Sequence, residues 1–149
     1  MNGTTTYLRR NYDETMAMLI EARNYAAYHF TVDQQRLEPW LRLQACCESM
    51  RVTSRLTQVL AWLLIQRAVQ AGELTRDQLP AEQFTLSGVS VCADTSGPDN
   101  FALPKGLRSL LERSHSLYAR VSRLNRLTHH ATQADCDWQA DGDRRADGD

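Results

Sequence analysis

The distribution of apolar residues predicts one long helix in the middle of the chain. Between Pro39 and Gly72 no other Pro or Gly occurs, and apolar residues recur there with a helical period. Proline fits the first turn of a helix because its missing N–H needs no partner there, and glycine is favoured just beyond the last turn. We therefore predict a helix over residues 39–72, roughly 50 Å long at ~1.5 Å per residue.

Apolar residues cover more than half of the circumference of this central helix. On a helical wheel one set shares a single face: Leu41, Ala45, Val52, Leu56, Val59, Leu60 and Leu63. A second set lies beside it: Leu43, Cys46, Met50, Ala61, Leu64, Ile65 and Ala68. A helix that packs against one neighbour needs only a narrower apolar stripe. We therefore expect the central helix to contact two or more neighbours.

A line of mostly polar residues occupies the remaining sector, and we call it the polar line: Gln44, Glu48, Arg51, Arg55, Gln58, Trp62 and Gln66. Their spacing of three or four residues places them along one side of the helix. The line is either a solvated face with a Glu48–Arg51 ion pair or a contact surface, because Arg and Trp are enriched at binding hot spots. As partner- or dimer-binding residues we predict Glu48, Arg51, Arg55, Gln58, Trp62 and Gln66.

Two further helices are predicted, one before and one after the central helix. The first covers about residues 6–30 and has an apolar face formed by Leu8, Tyr12, Met16, Leu19, Ala26 and Phe30. The last covers about residues 104–128, with an apolar face formed by Leu103, Leu107, Leu110, Leu111, Leu117, Tyr118, Val121 and Leu124. The short connection 31–38 favours antiparallel packing of the first two helices. The predicted fold class is therefore all-α, an up-down three-helix bundle.

Two segments interrupt this regular pattern. Residues 84–100 contain two Gly and one Pro, so we predict an irregular, partly packed connection that is anchored by Leu86, Val89 and Val91. Residues 131–149 contain six Asp and little to bury, which predicts a disordered acidic tail. The predicted organisation is one helical domain over residues 1–130 followed by this tail.

Charge is unevenly distributed, although the net charge is only −1. The last helix carries a basic face opposite its apolar stripe: Lys105, Arg108, Arg113, Arg120, Arg123 and Arg126. An alternative function is therefore a small DNA-associated regulator, although the net charge and the missing recognition motif argue against nucleic-acid binding. Arg23 lies within the apolar face of the first helix, so it either extends to solvent or pairs with a carboxylate such as Glu48.

No motif for catalysis, a metal or a cofactor occurs in the sequence. It lacks the H-x-x-x-H and H-E-x-x-H patterns, a phosphate-binding Gly loop, G-x-S-x-G and C-x-x-C. We therefore predict a non-enzymatic protein without a cofactor or small-molecule ligand, with free thiols. The longest apolar run, residues 59–65, is far shorter than the ~20 residues that span a membrane, and the N-terminus has no signal-peptide pattern. We expect a cytoplasmic protein.

Residues 48–73, with the sequence ESMRVTSRLTQVLAWLLIQRAVQAGE, closely resemble a small alpha-proteobacterial family, DUF1465. The resemblance extends to LYARVSRL at 117–124 and more loosely to Tyr12, Asp13 and Glu14, and it covers about two thirds of the chain. Thr57 and the stretch 85–100 depart from the family pattern.

This resemblance implies a three-helix bundle that forms a homodimer. The named member of the family is the regulator of CtrA degradation, so the resemblance also implies a non-catalytic adaptor or scaffold that helps to deliver cell-cycle regulators to the ClpXP protease. The partners implied are proteins, either the protease or its cargo. No membrane association is implied.

Overall fold

The computed structural model describes residues 2–75, 78, 80–93 and 101–146, with side chains up to residue 128 except those of residues 2, 4 and 81. All the regular elements in this part are helical: α1 (Asn2–Tyr28), α2 (Phe30–Gln35), α3 (Pro39–Gln70), a 3₁₀ helix (Ala81–Phe84), α4 (Val89–Cys92) and α5 (Lys105–Ala146). This confirms the all-α prediction for the described part. The long helices α1, α3 and α5 pack against one another as a bundle.

The predicted central helix is observed as α3, which begins at Pro39 and ends at Gln70, two residues before Gly72. Pro39 lies in its first turn. After its last residue, Gly72 takes a φ of 73°, and the amides of Glu73 and Leu74 donate to the carbonyl of Ala68 at 3.0 and 3.3 Å. Positive φ is favourable for glycine because it lacks a Cβ, and this turn supplies donors to a carbonyl that the helix leaves without a partner. The helix therefore ends where the sequence pattern ends.

The core of the bundle comes from the apolar faces that the wheel predicted. Five of the seven residues in the first set of α3 are buried: Ala45, Val52, Leu56, Val59 and Leu63. They pack with α1 and α5 residues that include Leu8, Met18, Leu107, Leu110, Leu111, Leu117 and Val121. Burial of a Val or Leu side chain stabilises the fold by about 1.5–3 kcal/mol. This shared core holds the three long helices in register.

The relative directions of the helices differ from a simple up-down bundle in one pair. α1 and α3 are antiparallel as predicted, because Tyr12 lies against Arg67, near the other end of α3. α3 and α5 are parallel, because Arg55 contacts Leu111 and Trp62, further along, contacts Asn125. The long connection between the two helices brings the chain back to the end of the bundle where α3 begins, so α5 can run beside α3 in the same direction.

The middle part of this connection, residues 81–92, lies along α3, and we call it the strap. Phe84, Leu86 and Cys92 are its buried residues. Two of the predicted anchors, Val89 and Val91, are 62% and 49% exposed, so only Leu86 acts as predicted.

Gly88 of the strap has a φ of 75° at the start of α4, and a Cβ added there would lie 3.2 Å from the Sγ of Cys92. Both the positive φ and this close approach favour glycine. The strap is therefore irregular but tightly fitted.

The C-terminal end of α5 also differs from the sequence prediction. Its helical backbone continues to Ala146, beyond the end predicted near residue 128 and into the segment predicted to be a disordered tail. Several Ala and Gln residues in 131–140 favour a helix, and no Pro interrupts it. The last three residues, 147–149, lie outside the described residues.

Candidate interaction surfaces

The polar line of α3 is buried within the chain and does not form an exposed surface. Glu48, Arg55, Trp62 and Gln66 are only 4%, 0%, 2% and 8% exposed. The interpretation of these four side chains as a solvent-facing contact surface is therefore wrong. The strap and α5 cover the middle of the line, because Arg55 and Trp62 each contact both segments.

Arg55 joins the strap to α5 from the centre of the polar line. Its Nε donates to the carbonyl of Cys92 at 2.8 Å, and its Nη1 donates to the carbonyl of Leu111 at 3.1 Å and reaches the Oγ of Ser114 at 3.5 Å. The planar guanidinium offers several donors in fixed directions, so it can serve two segments at once. Burial of this cation is thus balanced by hydrogen bonds to buried carbonyls.

Trp62 makes a second link of the same kind. Its indole Nε1 donates to the carbonyl of Phe84 in the strap at 3.1 Å and to the Oδ1 of Asn125 in α5 at 2.9 Å. The chain's own connection therefore covers Trp62, which is only 2% exposed. The ring buries a large apolar area while its single N–H finds partners, as a buried Trp requires.

The third link runs through Ser87 of the strap. Its hydroxyl donates to the Oε1 of Gln58, and its carbonyl accepts from the hydroxyl of Tyr118 at 3.1 Å. Burial raises the pKa of Tyr118 above the ordinary tyrosine value, while the charge of Arg55 acts in the opposite direction. Burial likewise raises the pKa of the Cys92 thiol, again opposed by Arg55. A buried thiol with a raised pKa is a poor nucleophile.

Glu48 and Arg51 form the ion pair that the sequence predicted. The Nη1 of Arg51 donates to both carboxylate oxygens of Glu48, at 2.9 and 2.7 Å. Their side chains are only 5% and 16% exposed, so this pair is not part of a solvated face. The pair is therefore largely shielded from water.

Two of the six cations on the basic face of α5 form ion pairs with α1. Arg113 pairs with Glu21, and Arg120 pairs with Glu14 while its Nε donates to the Oδ1 of Asn11 at 2.9 Å. Cations that already bind carboxylates contribute less to binding phosphates. The alternative of a DNA-associated regulator is not supported by this arrangement.

The side of α3 that faces away from the buried first apolar set is exposed and carries several large apolar side chains. We call it the outer face: Trp40, Leu43, Cys47, Met50, Ser54, Thr57, Ala61 and Leu64. Trp40, Leu43, Met50 and Leu64 are 64%, 69%, 70% and 47% exposed. Their steps alternate between three and four residues, the spacing of the a and d positions of a coiled coil. An apolar stripe of this length on a small domain marks an interaction site.

Leu43, Met50, Ala61 and Leu64 belong to the second apolar set of the helical wheel, which does not separate them as a surface. The alternating spacing from Trp40 to Leu64 was the signal that could have found them. The prediction that α3 contacts two or more neighbours is consistent with this second face.

The described residues contain neither a cluster of metal ligands nor a membrane-spanning helix. No group of three or more His, Cys, Asp or Glu side chains there is close enough to hold a metal ion. None of the helices over that same part is long and apolar enough to cross a membrane.

Comparison with known proteins identifies the family. The family model described as a protein of unknown function, DUF1465, matches residues 3–143. The crystal structure of RcdA from Caulobacter crescentus CB15 superposes with a TM-score of 0.64 at 36% sequence identity, covering 79% of this chain and 87% of that chain. No match was found among curated proteins. The resemblance seen in residues 48–73 and 117–124 is thus confirmed, and the chain belongs to the DUF1465 family.

Proposed function

We propose that this protein is a non-catalytic adaptor that acts as a homodimer through the outer face of α3. The observation that carries the proposal is the exposed apolar stripe from Trp40 to Leu64 on a helix whose opposite side is fully packed. Leaving side chains such as Met50 and Leu43 in water is unfavourable, and covering them with a second copy stabilises both chains.

The spacing and the residue sizes on the outer face suit a second copy of the same helix. Alternating steps of three and four residues allow two helices to pack along their whole length. The middle of the stripe carries small side chains, Ser54, Thr57 and Ala61, which permit a close approach of two backbones. A self-complementary surface of this kind fits a two-fold symmetric dimer.

The similarity to RcdA supports the role of such a dimer. We propose that it works in the bacterial cytoplasm and helps to deliver cell-cycle regulators to the ClpXP protease. An adaptor of this kind raises the effective concentration of cargo at the protease and needs no chemistry of its own. In this proposal the polar line acts indirectly, by fixing the strap against α3 and α5.

The homodimer is tested by placing charges on the outer face. Leu43→Glu combined with Met50→Glu is expected to give a monomer by size-exclusion chromatography with light scattering, because two buried carboxylates per chain face each other across the interface. Ser116→Glu, an exposed position on α5, serves as the matched control and is expected to remain dimeric. A double variant that remains fully dimeric assigns the interface to another surface.

The adaptor role is tested by reconstitution with ClpXP. Addition of the protein is expected to accelerate degradation of those cell-cycle regulators that co-purify with it from its own host. Degradation rates that do not change for any co-purifying protein contradict the adaptor role, even if the dimer is confirmed.

A further inference from the structure

One line of α1 residues faces the groove between α1 and α3, and we call this groove the α1–α3 seam. The line consists of Thr5, Arg9, Tyr12, Met16, Leu19, Arg23 and Ala26. Their steps alternate between four and three residues, which keeps them on one side of the helix. Apolar residues thus occupy the middle of the line, and an arginine stands near each end.

The seam contains two depressions in the surface. One, of about 570 Å³, lies at the N-terminal end of α1 and is lined by Arg9, Tyr12, Asp13 and Arg67 among others. The other, of about 200 Å³, has a mainly apolar lining that includes Leu19, Ala22, Arg23, Ala26 and Val52. Neither depression is lined by a residue of the outer face of α3, so the seam is a separate surface.

In the described part of the chain, the arginines of the seam, unlike Arg113 and Arg120 of α5, are not paired with carboxylates. Among the described residues, neither Arg9 nor Arg67 forms an ion pair, and Arg67 stacks over the Tyr12 ring at 4.6 Å. Arg23 is exposed and reaches only the amide oxygen of its neighbour Asn24, at 3.4 Å. This settles the choice left open by the sequence, because Arg23 extends to solvent and Glu48 pairs elsewhere.

The acidic residues of α1 do not offset this charge. Glu14 and Glu21 both point to the opposite side of the helix, where they pair with α5. Asp13 is the one acid among the residues that line the two depressions. Three arginines against one aspartate leave the seam positive at both ends and apolar between them.

We propose that the α1–α3 seam binds an acidic amphipathic helix of a protein partner. Such a helix would lay its apolar stripe against the residues around Leu19, and its carboxylates would pair with Arg9 and Arg67 at one end and with Arg23 at the other. Along α1 these ends are roughly 21 Å apart, so the bound segment needs carboxylates separated by about four helical turns. The inference rests on the proposed adaptor function and specifies the chemistry of one partner.

The test uses a fluorescein-labelled helical peptide of about 18 residues with a Leu/Ala stripe and two Glu at each end. Its affinity for the full chain is measured by fluorescence anisotropy, with a peptide in which every Glu is replaced by Lys as the first control. Arg9→Glu, Arg23→Glu and Arg67→Glu are each expected to weaken binding about fivefold, since each loses an exposed ion pair and gains a repulsion.

The matched control variant is Arg10→Glu, which makes the same charge change one residue along α1 but lies outside both depressions. It is expected to bind the acidic peptide with nearly unchanged affinity. Thermal melts followed by circular dichroism check that all four variants remain folded, as expected for exposed positions.

Three outcomes overturn the inference. The first is binding of the Lys peptide as tight as that of the Glu peptide. The second is an affinity of the seam variants for the Glu peptide equal to that of Arg10→Glu, and the third concerns the chain's own tail. Preferential binding of a peptide with the sequence of residues 131–149, lost in the same variants, reassigns the seam to this protein's own tail. Each result leaves the dimer and the ClpXP experiments unaffected, so failure of this inference is distinguishable from failure of the proposed function.

Discussion

The two sides of α3 show the reverse of the usual relation between polarity and exposure. On the strap side the charged side chain of Arg55 is 0% exposed, while on the outer face the apolar side chain of Met50 is 70% exposed. The comparison shows that the polarity of a helix face does not by itself indicate whether that face meets solvent. A covered helix face carries polar side chains where the segment that covers it needs hydrogen-bond donors.

The strap explains why polar side chains are suited to the side of α3 that carries the polar line. Phe84 and Cys92 are the last residues of two short helices, whose final carbonyls have no partner within the helix, and Ser87 lies between these helices. These three carbonyls therefore need donors from elsewhere. Arg55, Trp62 and Tyr118 donate to the carbonyls of Cys92, Phe84 and Ser87, respectively. Within the described residues no such segment covers the outer face, and its apolar side chains are exposed.

The largest expected effect comes from comparing the two tryptophans of α3. Trp62→Ala is expected to lower the free energy of unfolding by about 4 kcal/mol, because it leaves a cavity and removes the donor to the strap. Trp40→Ala, on the outer face, is expected to change the unfolding free energy of the monomer by less than about 0.5 kcal/mol. Urea denaturation measures both values.

Self-association is expected to rank the same two variants in the opposite order. Trp40→Ala is expected to weaken self-association in sedimentation velocity, whereas Trp62→Ala affects it only through the fold. Equal losses of stability in the two variants would mean that the outer face is packed as tightly as the strap side, and the comparison would fail.

The sequence predicted the helices better than the surfaces, for identifiable physical reasons. Pro39 and Gly72 act locally, and the apolar period reports the shared core, so both could be interpreted without knowledge of the neighbouring helices. The burial of Arg55 depends on the strap, whose irregular path follows no period. The parallel course of α5 depends on that same path.

The outer face was hidden by a different cause. Leu43 and Leu64 were placed correctly on the helix, but the wheel does not show which of two apolar sectors is covered within the monomer. In the structure, α1 and α5 pack against the first apolar set of α3 and leave the outer face exposed.

A smaller effect is expected from comparing a buried and an exposed ion pair. Glu48→Gln is expected to cost about 2 kcal/mol, because the charge-assisted hydrogen bonds to Arg51 are almost fully shielded from water. Glu21→Gln, which weakens the half-exposed pair with Arg113, is expected to cost about 0.5 kcal/mol. Urea denaturation at low and high salt distinguishes the two, since added salt screens the exposed pair more strongly. Similar costs for both variants would show that Glu48 is solvated and that the pair is not shielded from water.

The smallest expected effect concerns Tyr118, whose hydroxyl donates to the strap carbonyl of Ser87. Tyr118→Phe is expected to lower the free energy of unfolding by about 1 kcal/mol at neutral pH, the typical contribution of one hydrogen bond. Tyr28→Phe, at a site that is 75% exposed, is the matched control and is expected to have no effect.

The pH dependence of this difference identifies its cause. Because burial raises the pKa of Tyr118, the folded chain holds the phenolic proton more tightly than the unfolded chain does. The contribution is therefore fully present below the unfolded-state value of about 10 and is lost as the pH rises above it. The gap between wild type and Tyr118→Phe should accordingly narrow in urea denaturations above about pH 10. A gap that stays constant with pH would place the hydroxyl in solvent and leave Ser87 without this donor, so that the strap would depend on Arg55 and Trp62 for its attachment.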